Sequence, residues 1–161
     1  LKQILESARW APSGNNTQPW KFILVTSDGM KEKIAQVSHQ QKWMLSASAH
    51  IVCVADPSSR YNGGEGPAAY ENTPDNELKQ AIRDTAIATE HLVLEAENQG
   101  LGTCWVAWFL QDEIRPILQI PEDKYVVAVI TVGYPAITPS LTPRQKLEEI
   151  VFSENWGNKR Q

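Results

Sequence analysis

Apolar residues along the chain follow two spacings, and each spacing predicts one kind of element. Runs of β-branched and aromatic residues are typical of buried strands, whereas apolar residues that recur every three or four positions are typical of amphipathic helices. The runs predict strands over residues 21–26, 50–55 and 125–132, and a strand or extended segment over residues 101–109. The helical spacing predicts short helices from Ser27 or Asp28 to His39, over residues 112–119 and over residues 146–151.

The chain begins inside a helical pattern. Its first apolar face consists of Leu1, Ile4, Leu5 and Ala8. Pro12 disfavours helix in the residue before it, so we expect this helix to end near Arg9 or Trp10. No Met precedes the face, and we expect that an N-terminal segment was removed or not recorded.

The strongest helical signal lies in the centre of the chain. Thr73 and Pro74 suit the N-cap and the first helical position, and Gly100 suits the C-terminal cap. The helix between them would be about twice the average length, which indicates the spine of the domain. Its predicted apolar stripe consists of Leu78, Ile82, Ala86, Thr89, Val93 and Ala96. Together, the predicted helices and strands indicate a fold with helices around one sheet.

Composition and charge narrow the class of protein. The 161 residues and the hydrophobic content of 42% fit a single domain over residues 1–161 with a core of its own. The net charge of −4 argues against a protein that binds nucleic acid or an anionic membrane, because such a protein needs a basic face. No apolar run reaches the roughly 18 residues of a membrane span, and no signal peptide is visible. We therefore expect a cytoplasmic location.

Cysteines and histidines do not predict a metal site. Cys53 and Cys104 lie in apolar segments and are expected to be buried free thiols in a reducing compartment. His39, His50 and His91 are scattered along the chain, without the spacing of metal ligands. We therefore expect no bound metal.

A long polar stretch covers residues 56–74 and contains several glycines and prolines. A segment of this length without a predicted element is usually a functional lid or a mobile insertion. A tolerated surface excursion explains the same composition equally well, so the sequence leaves both interpretations open.

Common catalytic patterns do not fit the chain. Gly100-Leu101-Gly102 lacks the third glycine of a dinucleotide-binding fingerprint and follows a helix, and the glycines within residues 62–66 lack the Lys-Ser or Lys-Thr of a phosphate-binding loop. Asp84 and Glu90 face different sides of the long helix, and no serine occupies a strand-to-helix elbow. If the protein is an enzyme, we expect a bound cofactor to carry the chemistry.

The segment APSGNNTQPW, residues 11–20, combines small hydrogen-bonding groups with two rigid prolines. Its amide and hydroxyl groups could meet the rim of a heteroaromatic ring, and they belong to Ser13, Asn15, Asn16 and Gln18. Gly14 would permit close approach of the backbone, while Pro12 and Pro19 would hold the loop rigid. An ordinary helix-to-strand connection remains the alternative.

Two later segments could contact the same cofactor. Residues 105–109, WVAWF, offer an extended backbone with flat apolar neighbours. Arg144 follows Thr142-Pro143, a predicted helix start where a guanidinium and free N–H groups could bind a phosphate. Alternatively, Trp105 and Trp108 are core residues and Arg144 is a solvated surface charge.

Four motifs together resemble the nitroreductase family of FMN-dependent flavoproteins. They are APSGNNTQPW before a strand, NQGLGTCW at the end of the long helix, VGYP at the end of a strand, and PRQKLEEIV near the C-terminus. They occur in the order of that family and cover nearly the whole chain. The resemblance implies an α+β fold, with a nitroreductase-like central mixed sheet flanked by helices, and a homodimer with FMN at the subunit interface.

The resemblance also implies which residues bind FMN. The early loop contacts the flavin in that family, which points to Pro12, Ser13, Gly14, Asn16 and Gln18. The strand after the Gly-Leu-Gly turn passes the flavin N5 and carbonyl edge, which points to Trp105, Val106, Ala107 and Trp108. The basic residue that meets the phosphate aligns with Arg144.

Two features depart from the family pattern. The Arg-Arg-Ser type of motif that grips the FMN phosphate does not precede Leu1. A small residue is usual near Ala107-Trp108, so Trp108 would either narrow the pocket over the flavin or turn outward.

The implied reaction is hydride transfer from NADH or NADPH through flavin N5 to a flat acceptor, such as a nitroaromatic or a quinone. No side-chain acid or base is needed for it. Relatives of this fold also carry out reductive dehalogenation, flavin breakdown and dehydrogenation, and residues 56–74 would choose among them. A flavin-binding sensor without turnover is the alternative from another class.

Overall fold

A four-stranded sheet between two layers of helices forms the centre of the protein, as seen in a computed structural model that describes residues 1–158. The strands are β1 (Trp20–Val25), β2 (Ala49–Ala55), β3 (Gly102–Val106) and β4 (Tyr125–Gly133), in the spatial order β1-β2-β4-β3. The helices are α1 (Lys2–Arg9), α2 (Asp28–Val37), α3 (Asn76–Asn98), α4 (Gln111–Ile117) and α5 (Leu147–Ile150). The predicted α+β class, with helices flanking a central sheet, is confirmed.

The strand directions follow from the connections. Every pairing within the described residues is antiparallel, whereas the resemblance implied a mixed sheet. Val25 pairs with His50, so α2 and the turn after it return the chain to the end of the sheet at which β1 finished. By contrast, α3 crosses the length of the sheet, and β3 starts at the opposite end, where Gly102 pairs with Gly133. Strands β2 and β3 therefore run in one direction, with β4 antiparallel between them.

Each face of the sheet carries its own apolar cluster. The cluster under α1 and α3 includes Ile4, Leu92, Ile51 and Ile130. The cluster under α2 and α4 includes Ile34, Ile114, Val52 and Val129. Successive residues of a strand point to opposite faces, which is why the fully buried strand β2 contributes to both clusters.

Helix α3 starts later than its sequence pattern predicts. Asp75 is the N-cap instead of Thr73, because its carboxylate accepts a hydrogen bond from the Leu78 N–H at 2.7 Å. The Thr73 hydroxyl is already bonded within the preceding loop. Gly100 follows the end of the helix with φ +71°, a conformation that favours glycine, as the prediction required.

The buried stripe of α3 also differs in part from the predicted one. Leu78, Thr89 and Ala96 are buried as predicted, while Ile82, Ala86 and Val93 are only half-buried. The other buried residues are Ala81, Asp84, Thr85, Ala88 and Leu92. Small side chains predominate on this stripe, so α1 and the sheet can pack closely against the helix.

The two cysteines lie in different environments. Cys53 is buried as predicted, and burial raises the pKa of its thiol to about 12. Cys104 is exposed, so the prediction of a buried thiol is wrong for this residue. The reason is its position on β3, an edge strand that the helices cover only in part.

Residues 56–74 are attached to the body at both ends. The segment begins with the 3-10 turn Pro57–Arg60, capped by the Asp56 carboxylate. Near its other end, the Ala69 N–H donates to the Glu122 carbonyl at 2.8 Å. The buried Arg115 guanidinium donates to the Ala69 carbonyl at 3.0 Å and to the Glu122 carbonyl. These bonds restrain the stretch that the sequence allowed to be a lid.

The chain after β4 is largely exposed. The last helix, α5, starts at Leu147, so the predicted helix start at Thr142-Pro143 is wrong. Residues 134–146 form no regular element, because no second segment of the described chain pairs with them. Within residues 1–158, no helix has both the length and the apolar character to cross a membrane.

We predict that Arg115→Met lowers the free energy of unfolding by about 3 kcal/mol, because buried carbonyl groups lose a charged donor. Chemical denaturation followed by circular dichroism measures the change. Arg83→Met is the matched control, since Arg83 is exposed on α3, and its effect should stay within about 0.5 kcal/mol. Equal effects of the two substitutions would contradict the structural role of Arg115.

Candidate cofactor site

The polar loop between α1 and β1 is a compact turn. Three of its residues have left-handed backbone angles: Asn15 (φ 52°), Asn16 (φ 55°) and Gln18 (φ 48°). Asparagine tolerates this conformation better than most residues, which explains the adjacent asparagines. The Ser13 hydroxyl oxygen accepts a hydrogen bond from the Gln18 N–H at 3.0 Å and closes the turn. Ser13 is half-buried, and the exposed members of the predicted set are Pro12, Gly14, Asn16 and Gln18.

A buried ion pair fixes this loop to α3. Asp84 Oδ2 accepts a hydrogen bond from the Gly14 N–H at 3.2 Å. The same oxygen accepts one from Arg60 Nη2 at 2.9 Å, and both charged side chains are only 8% exposed. Arg60 Nη2 also lies 3.5 Å from the Gly14 carbonyl oxygen. The backbone of Gly14 is therefore held at its donor and at its acceptor.

Gly14 lies close to the ion pair. A Cβ atom at this position would lie 3.0 Å from Arg60 Nη2, so the guanidinium would have to shift by a few tenths of an ångström. Arg60 Nη1 also pairs with Glu77 Oε2 at 3.2 Å. Two carboxylates of α3 thus neutralise Arg60, so this arginine holds the loop in place and is not a free anion-binding group.

The second predicted segment lies at the edge of the sheet. Val106, at the end of β3, is buried under α2 and α4. Trp105 is 41% exposed and Trp108 is 66% exposed, while Ala107 between them is also exposed. The two tryptophans are therefore not core residues, which removes that alternative.

A single copy of the chain does not bring the loop and this segment together. Strand β1, which follows the loop, and strand β3 are the two outer strands of the sheet. Three strand spacings, roughly 14 Å, separate them. The loop is held by α3 on one face, whereas Trp108 stacks on His39, which follows α2 on the other face.

The larger grooves of the surface lie away from both segments. One groove of about 530 Å³ is lined by Ala35, Gln40 and Leu45 among others. Another of about 540 Å³ lies between α1 and β1. Neither is lined by residues 12–18 or 105–108.

Arg144 lies apart from the other predicted residues. It is exposed, and its guanidinium donates to the Thr142 carbonyl of its own segment at 3.0 Å. No helix N-terminus accompanies it, because α5 begins three residues later.

The donors and acceptors of these segments fit the rim of a flavin. Within residues 1–158, strand β3 pairs on one side only, so backbone N–H and C=O groups along its outer edge lack a strand partner there. Such groups suit the ring nitrogens and carbonyl oxygens of FMN. The loop adds exposed side-chain amides, which can donate and accept.

Three residues of this region were not predicted as functional. Arg60 and Asp84 form the ion pair that holds the loop, and His39 stacks on Trp108. Asp84 lies outside the predicted apolar stripe of α3, so the sequence pattern did not indicate that it is buried. The partners of Asp84 and of Trp108 depend on long-range contacts that a local pattern does not contain.

Comparisons with known proteins identify the family. The family model described as "Nitroreductase family" matches residues 1–134. A candidate NADH dehydrogenase/NAD(P)H nitroreductase of Archaeoglobus fulgidus is 33% identical over 140 residues, which cover 84% of this chain and 72% of that protein. The solved structure of a nitroreductase family protein from Clostridium novyi NT is 33% identical, with a TM-score of 0.67, and covers 98% of this chain and 82% of its own.

A further solved structure shares the fold at lower identity. It is a nitroreductase-like protein in complex with FMN from Exiguobacterium sibiricum, with a TM-score of 0.80 and 22% identity. The match covers 95% of this chain and 85% of that one.

The chain belongs to the nitroreductase family, a family of FMN-dependent oxidoreductases that use NADH or NADPH. The resemblance inferred from the four motifs is thereby confirmed. The roles of the individual site residues stay predictions.

We predict that Asp84→Asn lowers the free energy of unfolding by about 3 kcal/mol, because it leaves the buried Arg60 without its closest counter-charge. Hydrogen exchange at the Gly14 amide should also become faster, because the loop loses its anchor. Glu90→Gln is the control, since Glu90 is exposed on the same helix. Unchanged protection of Gly14 in the Asp84 variant would contradict the anchoring role.

Proposed function

We propose that the protein transfers a hydride from NADH or NADPH to a flat electron acceptor, such as a nitroaromatic or a quinone. When bound, FMN would supply the redox chemistry of this transfer. The proposal is carried by one observation: a chain of the nitroreductase family has both a rigid, polar loop and an exposed edge strand.

The residues of the chain bind and orient the cofactor in this proposal. Exposed hydrogen-bonding groups of the loop would meet the polar rim of the ring and stabilise its charge when it is reduced; the loop residues are Pro12, Ser13, Gly14, Asn16 and Gln18. A backbone N–H near Ala107 or Trp108 would donate to flavin N5, and Trp105 and Val106 would line the same edge. Arg144 is assigned to the phosphate, with its guanidinium as the donor.

We further propose that the site forms between two copies of the chain. The loop and the edge segment lie on opposite outer strands, so the loop of one copy would meet residues 105–108 of the other. The exposed chain after β4 supports a homodimer, because it carries large apolar side chains that water would otherwise face. They are Tyr134, Ile137, Leu141, Leu147, Ile150 and Trp156.

Residues 1–161 would act as one domain, with three of the four motifs of the resemblance distributed around a single sheet. The free thiol of the exposed Cys104 fits the reducing cytoplasm, where we propose that the protein works.

The visible absorption spectrum of the purified protein tests the proposed function. After incubation with FMN and gel filtration, we expect a bound-flavin spectrum that NADH or NADPH bleaches under anaerobic conditions. Adding 4-nitrobenzoate or menadione should restore the oxidised spectrum. Analytical ultracentrifugation of the same sample should give a dimer.

Three results would contradict the proposal. Absence of bound flavin would refute the cofactor site. Flavin that NADH and NADPH both fail to bleach would indicate a sensor without turnover. Bleached flavin that neither acceptor reoxidises would indicate another reaction on the same fold.

A further inference from the structure

An imidazole and an indole stack on the surface beside the proposed site. The rings of His39 and Trp108 lie with their centroids 3.9 Å apart and their planes 29° from parallel. The two residues are 69 positions apart in sequence, so the fold and not the local chain brings them together. Stacked aromatic pairs of this geometry are mutually attractive.

Backbone hydrogen bonds hold the chain around His39 in a defined turn. His39 (φ 54°) and Gln40 (φ 55°) both adopt the left-handed conformation directly after α2. The Gln40 N–H donates to the Gln36 carbonyl at 3.2 Å, and the Gln41 N–H donates to the Ala35 carbonyl at 3.1 Å. Left-handed residues other than glycine cost free energy, so these bonds maintain a turn that directs His39 toward Trp108.

Only one face of the indole is covered. In a single copy of the chain, Trp108 remains 66% exposed although His39 stacks on it, so that copy leaves its opposite face uncovered. Trp108 directly follows Ala107, and the backbone N–H that we assign to the edge of the flavin lies near one of these two residues. An electron acceptor bound at the proposed flavin edge would therefore lie within reach of the open face of the indole.

We infer that the open face of Trp108 binds the electron acceptor by stacking, with His39 as the support that fixes the orientation of the indole. The inference rests on the proposed function and names the residues that would recognise its flat acceptor. Trp108 is the residue that contacts the acceptor, and His39 is a positioning residue that acts through it. A compact, non-planar acceptor gains nothing from this surface.

Steady-state kinetics of the FMN-loaded protein test the inference with two acceptors. The acceptors are 4-nitrobenzoate, which is planar, and ferricyanide, which is octahedral. We expect Trp108→Ala to raise the KM for 4-nitrobenzoate roughly tenfold and His39→Gln roughly threefold, with smaller changes in kcat. The ratio of kcat/KM for 4-nitrobenzoate to that for ferricyanide should fall accordingly. The matched variants Trp108→Phe and His39→Phe keep a flat ring and should restore most of this ratio.

Binding is measured separately from turnover by proton NMR of the oxidised protein without NADH. The chain has three histidines, and His39→Gln identifies the ring signals of His39. Saturable shifts of those signals are expected as 4-nitrobenzoate is added to the wild-type protein, and their loss is expected in Trp108→Ala.

Two results would overturn the inference. The first is an unchanged acceptor ratio in both Trp108→Ala and His39→Gln. The second is loss of the dimer in Trp108→Ala with no shift of the His39 signals in the wild type, which would assign the indole to the subunit contact. Bleaching of the flavin by NADH in the wild type is the separate criterion for the proposed function, so the two claims can fail independently.

Discussion

The candidate site depends on the contacts that the Asp84 carboxylate makes. It lies on the buried side of α3 and binds both the Gly14 N–H and the Arg60 guanidinium. An unpaired charge in such a position is costly, so each partner enforces the position of the others. The glycine is part of the same constraint, because a Cβ atom there would require Arg60 to shift by a few tenths of an ångström. A loop whose residues include three left-handed angles is thereby attached to the most extensive helix of the fold.

The topology of the sheet determines where this anchored loop lies relative to residues 105–108. With β1 and β3 as the outer strands, the loop and the tryptophan segment lie at opposite edges and on opposite faces. Both segments are largely exposed in one copy of the chain, and in the proposed function each would form half of a flavin site. The apolar side chains exposed after β4 give a physical reason for a second copy to cover them. Together these features support a flavin site shared between subunits.

Local patterns predicted the elements of this fold well, because strand runs and helical stripes report on burial directly. All four strands and the helices were found at their predicted places within a few residues, and the asparagines, prolines and glycine of residues 11–20 indicated a shaped loop. Exposure at the sheet edge was not predictable, since Cys104 has the same apolar neighbours as a buried residue. The same holds for long-range partners: Arg60 lies in a polar stretch and His39 at a helix end, and nothing local indicates Asp84 or Trp108 as their contacts.

The central claim is that one copy contributes the loop and the other contributes residues 105–108 to each flavin site. Heterodimers of two defective variants test it: a loop variant with Ser13→Ala and Asn16→Ala, and a strand variant with Ala107→Pro, which removes a backbone donor. Each is purified alone, and the heterodimer is isolated through two different affinity tags. A site shared across the dimer predicts that neither homodimer retains FMN, while the heterodimer, with one intact site, binds about half the FMN of the wild type. A heterodimer as empty of flavin as both homodimers would show that each site belongs to a single copy, and would contradict the account.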